Sequence, residues 1–183
     1  TARKKTIAVS GTHGKTTTTA MIAKIMIDAG FDPTVIVGSL LNPSTSSGQV
    51  ARTNFIAGRG DYLVVEACEY RRSFLNLSPK ILVITNIDND HLDYYKDLAD
   101  IQSAFVEFVS KLPAGGFLIC DPNDERLQPV LNKMKDIGCP VRVVDYTKEE
   151  ITVKLKAPGA HNIKNAQAAL AVARLIGVDT TIA

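Results

Sequence analysis

Short apolar runs alternate with helical patterns along most of this chain, and the alternation restricts the folds that it can adopt. Six runs are rich in Val, Ile and Leu and lack polar alternation; they read TIAVSG, TVIVGS, YLVVEAC, ILVITNI, GGFLICD and VRVVDY. Such runs are typical of strands that are buried on both faces. Strands that alternate with helices predict a mainly parallel α/β sheet flanked by helices, with right-handed crossover connections.

The helical patterns have recognisable ends. The first runs from Lys15 to about Ala29, and the others read DLADIQSAFVEFVSKL, NDERLQPVLNKMKDIG and HNIKNAQAALAVARLIG. Asp97, with Asp100 three residues later, predicts an N-cap and a negative first turn for the second helix. The stretch 151–156, ITVKLK, alternates polar and apolar residues and predicts an edge strand. The Ser-rich stretch 42–49 is expected to be a loop, either a mobile one or one that faces a substrate.

Composition narrows the functions that the chain can have. Its 183 residues, 45% hydrophobic and 22% charged, suit one well-buried domain. The net charge of +2 does not favour nucleic acid, and the most apolar helical stretch is too short to span a bilayer, so we expect neither nucleic acid nor a membrane as partner. Cys68, Cys120 and Cys139 are widely spaced, which argues against a disulfide framework or a zinc site and for a reducing compartment. Each cysteine is expected to be a small core or strand residue.

Most of the unusual polar residues follow the ends of predicted strands. The sequence has GTHGKTT after the first strand, EACEYRRSF after YLVV, NIDNDHLDYY after ILVIT and CDPND after the fifth strand. In an open parallel sheet, ligands bind beyond the carboxyl ends of the strands. The sequence therefore predicts one functional site at a single edge of the sheet.

The loop after the first strand has the features of a phosphate-binding loop. Gly11 and Gly14 allow the backbone to turn its N–H groups inward, and the N-terminus of the next helix adds positive potential. Lys15 is placed to contact the β- and γ-phosphates of a nucleotide, and the Thr16 hydroxyl to bind Mg²⁺. The common pattern, G-x-x-x-x-G-K followed by Ser or Thr, has a glycine where this chain has Val9. The alternative is an ordinary Gly-containing turn between a strand and a helix.

Acidic side chains after the YLVV run are candidate metal ligands. Mg²⁺ prefers oxygen ligands, so Glu66, at the end of this run, and Thr16 suit one magnesium ion. Glu69 has two interpretations, a second metal ligand or an exposed ion pair with Arg71 or Arg72, and the ion pair is favoured.

Two further stretches leave alternatives open. His91 stands among three aspartates, either in a solvated loop that caps the next helix or at a metal site, although imidazole is an unusual ligand for Mg²⁺. His161, Asn162 and Asn165 lie around the first turn of the last helix. Asn162 suits a helix cap, and the Asn165 carboxamide suits the edge of adenine; spacing alone favours capping.

Four motifs together resemble the ATP-binding middle domain of the Mur ligases, which synthesise peptidoglycan precursors. In chain order, and across nearly the whole chain, they read GTHGKTTT, EACEYRRSFL, TNIDNDHLDYY and GAHNIKNAQAAL. The phosphate loop of that family reads GT-x-GKT, so Val9 is normal there. The resemblance implies that residues 1–183 form one such domain, a P-loop-type and mainly parallel β-sheet flanked by helices, with room for a small antiparallel edge. It also implies a UDP-binding domain before this one and an amino-acid-binding domain after it, both absent from this chain.

The resemblance implies a role for each matching residue. It implies phosphate binding by Gly11, Thr12, His13, Gly14, Lys15, Thr16 and Thr17. It implies one Mg²⁺ held by Thr16 and Glu66 and a second metal ion held by His91. It implies catalytic roles for Lys15 and His91. It implies contact with adenine, in place of capping, for His161, Asn162 and Asn165, and contact with the UDP-sugar for Asn86 and Arg71.

Within the family, His13 and the stretch EACEYRRSF resemble the members that add L-alanine to UDP-N-acetylmuramate, and IQSAFVEFV lacks the lysine that several other members carry there. The implied reaction is ATP- and Mg²⁺-dependent amide formation through an acyl phosphate, in the cytoplasm of a bacterium. The middle domain alone is expected to bind Mg-ATP weakly and not to ligate. Two alternatives stay open: a ligase that recycles murein tripeptide, and a stand-alone nucleotide-binding module.

Overall fold

The computed structural model describes residues 4–41, 53–152, 155 and 159–179. The strands are β1 (Lys5–Ser10), β2 (Thr34–Leu41), β3 (Thr53–Ile56), β4 (Tyr62–Glu66), β5 (Ile81–Ile84), β6 (Phe117–Cys120) and β7 (Arg142–Asp145). The α-helices are α1 (Lys15–Asp28), α2 (Leu98–Val109), α3 (Gln128–Asp136) and α4 (Ala160–Leu175). Short 3₁₀ segments cover Tyr70–Asn76 and Tyr146–Lys148. The strands form one sheet in the spatial order β3-β2-β4-β1-β5-β6-β7.

Strand β1 lies in the middle of the sheet and pairs in parallel with β4 and β5. Val9 is in register with Glu66 on one side and with Val83 on the other. The remaining neighbours are also parallel, apart from β2 and β3, which are antiparallel at one edge. The predicted mainly parallel α/β sheet with a small antiparallel edge is confirmed. Because the parallel strands point the same way, the segments that follow them meet at one edge of the sheet.

Both faces of the sheet are covered, as the unbroken apolar runs predict. In β1, Ile7 and Val9 belong to the core beneath α1 and α4, and Ala8 belongs to the core beneath α2 and α3. All three side chains have 0% exposure. Burying a Val or Ile side chain completely contributes about 1.5–3 kcal/mol, so the strand that leads into the loop is firmly anchored.

Side-chain hydrogen bonds shape the start of α2 and the segment that precedes α3. Asp97 is the N-cap of α2, and its carboxylate accepts a hydrogen bond of 2.9 Å from the Asp100 N–H, as predicted. Helix α3 begins at Gln128, later than predicted. The carboxylates of Asp121 and Asp124 accept hydrogen bonds from backbone N–H groups two residues on, which holds the intervening segment in turns.

Some sequence predictions differ from the structure or concern residues outside its described part. Strand β3 has no apolar periodicity, and backbone pairing with β2 forms it. Residues 151, 152 and 155 of the predicted edge strand are not in a strand; its other residues, and the Ser-rich stretch 42–49, lie outside the described residues. Cys120 is buried, but Cys68 is exposed, so the expectation for Cys68 was wrong. No described helix is long and apolar enough to cross a bilayer.

Candidate active site

The loop that joins β1 to α1 depends on two glycines. Gly11 has a φ of 126° and Gly14 a φ of 81°, both in the region that favours glycine. A Cβ atom on Gly11 would lie 2.3 Å from Oγ1 of Thr85, so no larger residue fits. Gly14 is the N-cap of α1 and has no side chain to cap the helix. The N–H groups in the first turn of α1, where Thr16 and Thr17 lie, have no helical carbonyl to bond. They are therefore suited to binding an anion.

The end of β5 holds the loop in place. The hydroxyl of Thr85 donates to the His13 carbonyl at 2.6 Å. The Asn86 carboxamide bonds both backbone groups of His13, accepting from its N–H and donating to its carbonyl at 3.0 Å each. The Thr12 N–H donates to the Asn86 carbonyl at 3.1 Å, and the Thr12 hydroxyl accepts from the Asp88 N–H at 2.7 Å. The loop is thus pre-organised, and the side chain of Asn86 is engaged with it; a contact of Asn86 with substrate stays a prediction.

The side chain of Lys15 is folded back over this loop. Its ammonium group donates to the carbonyls of Gly11 at 2.6 Å and Thr12 at 3.0 Å. It also donates to Oε1 of Glu69 at 3.1 Å. The Lys15 side chain is 13% exposed and that of Glu69 only 2%, so this ion pair is nearly shielded from solvent.

The prediction that Glu69 forms an exposed ion pair with Arg71 or Arg72 is wrong. Arg71 and Arg72 have φ values of 52° and 54°, and the Arg72 N–H donates to the Glu69 carbonyl at 2.9 Å, so the backbone forms a tight turn directly after Glu69. The guanidinium of Arg72 instead reaches α2, where it pairs with Asp100 at 2.8 Å and with Glu107. Arg71 is exposed. The sequence did not predict the contact between Glu69 and Lys15, because oppositely charged residues close to Glu69 in the chain are the simplest partners to assume.

Thr16 and Glu66 are in direct contact, which places their oxygens close enough to bind one magnesium ion. The Thr16 hydroxyl lies 3.0 and 2.9 Å from the two Glu66 carboxylate oxygens, and the Gly38 N–H donates to Oε2 at 2.8 Å. Hydroxyl and carboxylate oxygens are ligands that Mg²⁺ prefers. No group of three His, Cys, Asp or Glu side chains suited to a metal occurs in the described part of the chain. A magnesium ion at Thr16 and Glu66 would therefore complete its shell with phosphate and water oxygens, and the donor set fits it.

His91 lies beside the Lys15–Glu69 pair. Its Nε2 atom is 3.5 Å from Oε1 of Glu69 and 4.0 Å from the carboxylate of Asp90. Its ring packs against that of Tyr70, with centroids 4.9 Å apart, and its φ of 55° is left-handed. The structure thus brings His91 to the site, while its role as a metal ligand stays a prediction.

The start of α4 lies against the loop. Gly159 is the N-cap of this helix, so the capping interpretation of Asn162 was wrong. Asn162 and Asn165 are buried, and the Asn165 carboxamide donates to Oδ1 of Asn162 at 3.4 Å. A Cβ atom on Gly14 would lie 2.4 Å from Oδ1 of Asn165, so Asn165 packs on the loop backbone. His161 is exposed, and contact of these three residues with adenine stays a prediction.

Comparison with known proteins identifies the family. Residues 9–150 match the model of the Mur ligase middle domain. The chain belongs to the Mur ligase family. The UDP-N-acetylmuramate–L-alanine ligase of Caldicellulosiruptor bescii is 40% identical to it over 97% of this chain and 42% of the relative. The chain thus spans less than half the length of such curated relatives.

Solved structures of Mur ligases are similar along almost the whole chain. UDP-N-acetylmuramate:L-alanyl-gamma-D-glutamyl-meso-diaminopimelate ligase from Neisseria meningitides has a TM-score of 0.78 at 27% identity, covering 97% of this chain and 63% of that one. UDP-N-acetylmuramate-alanine ligase from Thermotoga maritima has a TM-score of 0.75 at 28% identity, covering 98% of this chain and 43% of that one. The sheet and the position of its loop are therefore those of the family.

Proposed function

We propose that this chain is the ATP-binding middle part of a bacterial, cytoplasmic UDP-N-acetylmuramate–L-alanine ligase. The observation that carries the proposal is the convergence of the pre-organised loop, Lys15 and the Thr16–Glu66 pair at the end of β1. The choice of amino acid is supported by the 40% identity to a relative of that name. The UDP-sugar and L-alanine are held largely by domains outside this chain.

The proposed site solves an electrostatic problem. An anionic carboxylate must approach the γ-phosphate of ATP, which is itself highly charged. Lys15 and the N–H groups of the loop offset this repulsion and stabilise the charge of the in-line transition state. Thr16 and Glu66 hold Mg²⁺, which when bound neutralises part of the phosphate charge. His91 lies beside the Lys15–Glu69 pair. Its proposed role is to hold a second metal ion near the acceptor carboxylate.

The proposed reaction has two steps. A lactyl carboxylate oxygen of UDP-N-acetylmuramate bonds to the γ-phosphorus as the bond to the β–γ bridging oxygen breaks, and ADP leaves with the electron pair. The amine of L-alanine then attacks the acyl carbon, inorganic phosphate leaves, and the nitrogen loses a proton. Asn162, Asn165 and His161 approach the adenine, and Arg71 and Asn86 approach the UDP-sugar.

Ligation of murein tripeptide is the second candidate function. It is favoured by the similarity to the Neisseria ligase, whose TM-score is slightly above that of the alanine ligase from Thermotoga. A stand-alone nucleotide-binding module is a weaker candidate, because such a module requires neither the EACEYRRSF segment nor the HNIKN stretch of α4 beside the loop.

Phosphate release by the full-length protein distinguishes these candidates. With ATP, Mg²⁺ and UDP-N-acetylmuramate, we expect release to depend on L-alanine and not on tripeptide. Lys15→Ala should abolish release, whereas Lys24→Ala, which removes an exposed lysine paired with Asp28 on the same helix, should leave it unchanged. Dependence on tripeptide would select the second candidate, and release by Lys15→Ala at the wild-type rate would overturn both ligase assignments.

A further inference from the structure

The proposed reaction assigns no role to Glu69, although this residue is the most deeply buried acid beside the loop. Its side chain is 2% exposed, and its Oε1 atom lies 3.1 Å from Lys15 and 3.5 Å from His91. Its other oxygen, Oε2, is also 3.1 Å from the Lys15 ammonium but has no well-aligned hydrogen-bond partner among the described residues. A buried carboxylate with unused capacity for hydrogen bonds is costly, which points to a function other than stability.

The backbone at Glu69 is held in position by two sets of contacts. The hydroxyl of Tyr95, a fully buried residue, donates a hydrogen bond to the Glu69 carbonyl. The following turn is tied to α2 through Arg72 and its partners Asp100 and Glu107. The backbone of Glu69 is therefore fixed, and its side chain is directed at the loop.

Lys15 has no spare donor in this arrangement. An ammonium group has three N–H donors. The Lys15 ammonium makes three hydrogen bonds, to the carbonyls of Gly11 and Thr12 and to Glu69. Contact with a phosphate oxygen therefore requires Lys15 to give up at least one of them, and Glu69 is the partner that carries a competing negative charge.

We propose that Glu69 is a positioning residue that competes with the nucleotide for Lys15, so that the loop disfavours nucleotide without Mg²⁺. This inference rests on the proposed ATP binding. A metal-free triphosphate brings its full negative charge near the Glu69 carboxylate. Mg²⁺ neutralises part of that charge, so the competition matters less for the metal complex. Glu69 acts through Lys15 and contacts no reacting atom.

The test is nucleotide binding by the chain, measured by calorimetry with ATP in EDTA and again in excess Mg²⁺. Glu69→Gln keeps the size and an acceptor oxygen but removes the charge. We expect it to tighten metal-free ATP binding about five- to tenfold and Mg-ATP binding less than about threefold, within the usual range for coupled neighbours. Glu149→Gln is the matched control: it removes a carboxylate paired with Arg174, which lies about 13 Å along α4 from Asn165 at the loop, and it should change neither affinity.

A double-mutant cycle tests whether Lys15 mediates the effect. In a Lys15→Met background, Glu69→Gln should tighten metal-free binding clearly less than in the wild-type background, because only the direct repulsion between Glu69 and the triphosphate remains to be relieved. Equal tightening in both backgrounds would overturn the inference, as would a Glu69→Gln variant that binds metal-free ATP like the wild type. If the only effect of Glu69→Gln were weaker binding of Mg-ATP, Glu69 would be a metal ligand and the inference would also be overturned.

Two controls keep the outcome clear. If Glu69→Gln fails to fold, judged by its thermal unfolding, Glu69→Asp replaces it, because the shorter side chain withdraws the carboxylate from Lys15 and should tighten metal-free binding in the same direction. A wild-type chain that binds ATP in neither condition would overturn the proposed function together with this inference. Wild-type binding that Glu69 variants leave unchanged would overturn the inference alone.

Discussion

Replacing Gly14 with alanine tests how closely the loop is fitted against α4. The φ of 81° at Gly14 is left-handed, which costs a residue with a Cβ atom about 1–2 kcal/mol. The added Cβ would also lie 2.4 Å from Oδ1 and 3.2 Å from Cγ of Asn165, a buried side chain that has to move. Overpacking of this kind costs about 1–3 kcal/mol. Gly14→Ala should therefore lower the free energy of unfolding by about 2–5 kcal/mol.

Gly30→Ala is a matched control for the backbone contribution. Gly30 follows the same helix with a φ of 77°, and a Cβ there would meet no described atom within 4 Å. It should cost only the conformational strain of about 1–2 kcal/mol. Urea denaturation of both variants, compared at equal m-values, should show Gly14→Ala to be the more destabilised. Equal losses would refute the steric argument.

The contact with Asn165 can be isolated in the same assay. Because Asn165→Ala removes the atoms that the new Cβ would meet, Gly14→Ala should be less destabilising in that background, with a coupling of about 1 kcal/mol or more. Nucleotide binding provides a second measurement: Gly14→Ala should weaken it, and Gly30→Ala should not. Strict additivity of the two substitutions would show that loop and helix are not in the contact described.

Three other local features lead to measurable outcomes. Asp97→Ala should lower the free energy of unfolding by about 1 kcal/mol in urea denaturation, and Asp97→Asn, which still caps, should cost less; equal losses would contradict the cap. Burial raises the pKa of Tyr95 to about 12, so the stability that its neutral hydroxyl contributes is complete below pH 10 and is lost as the pH rises to 12. The thermal midpoint of Tyr95→Phe should therefore fall less over that pH interval than the midpoint of the wild type. Parallel plots of midpoint against pH would contradict this. Burial also raises the pKa of the Cys120 thiol to about 12. A thiol reagent should therefore modify the exposed Cys68 in the native chain and Cys120 only after unfolding, as detected by mass spectrometry. The reverse order would be inconsistent with the fold.

Much of the site could be predicted because its signals lie close together in the chain. The glycines and Lys15 are contiguous with β1, and Glu66 ends a strand whose apolar run is unmistakable. A parallel sheet then brings these strand ends to one edge, as the pairing of Val9 with Glu66 illustrates. The partners Thr16 and Glu66 followed from this reasoning alone.

The sequence by itself determined the fold class, the loop and the edge of the sheet where polar groups gather, because apolar runs and turn residues determine the local structure of the segments that contain them. Only the tertiary structure decided what Glu69 and Asn165 contact, and that β3 is a strand at all. The partner of Glu69 depends on two left-handed residues and on a tie to α2, and the place of Asn165 depends on packing of α4 on α1. Such contacts join segments that are distant in the chain. Several residues of suitable charge or polarity could pair with each side chain, and the packing of the folded chain determines which of them does.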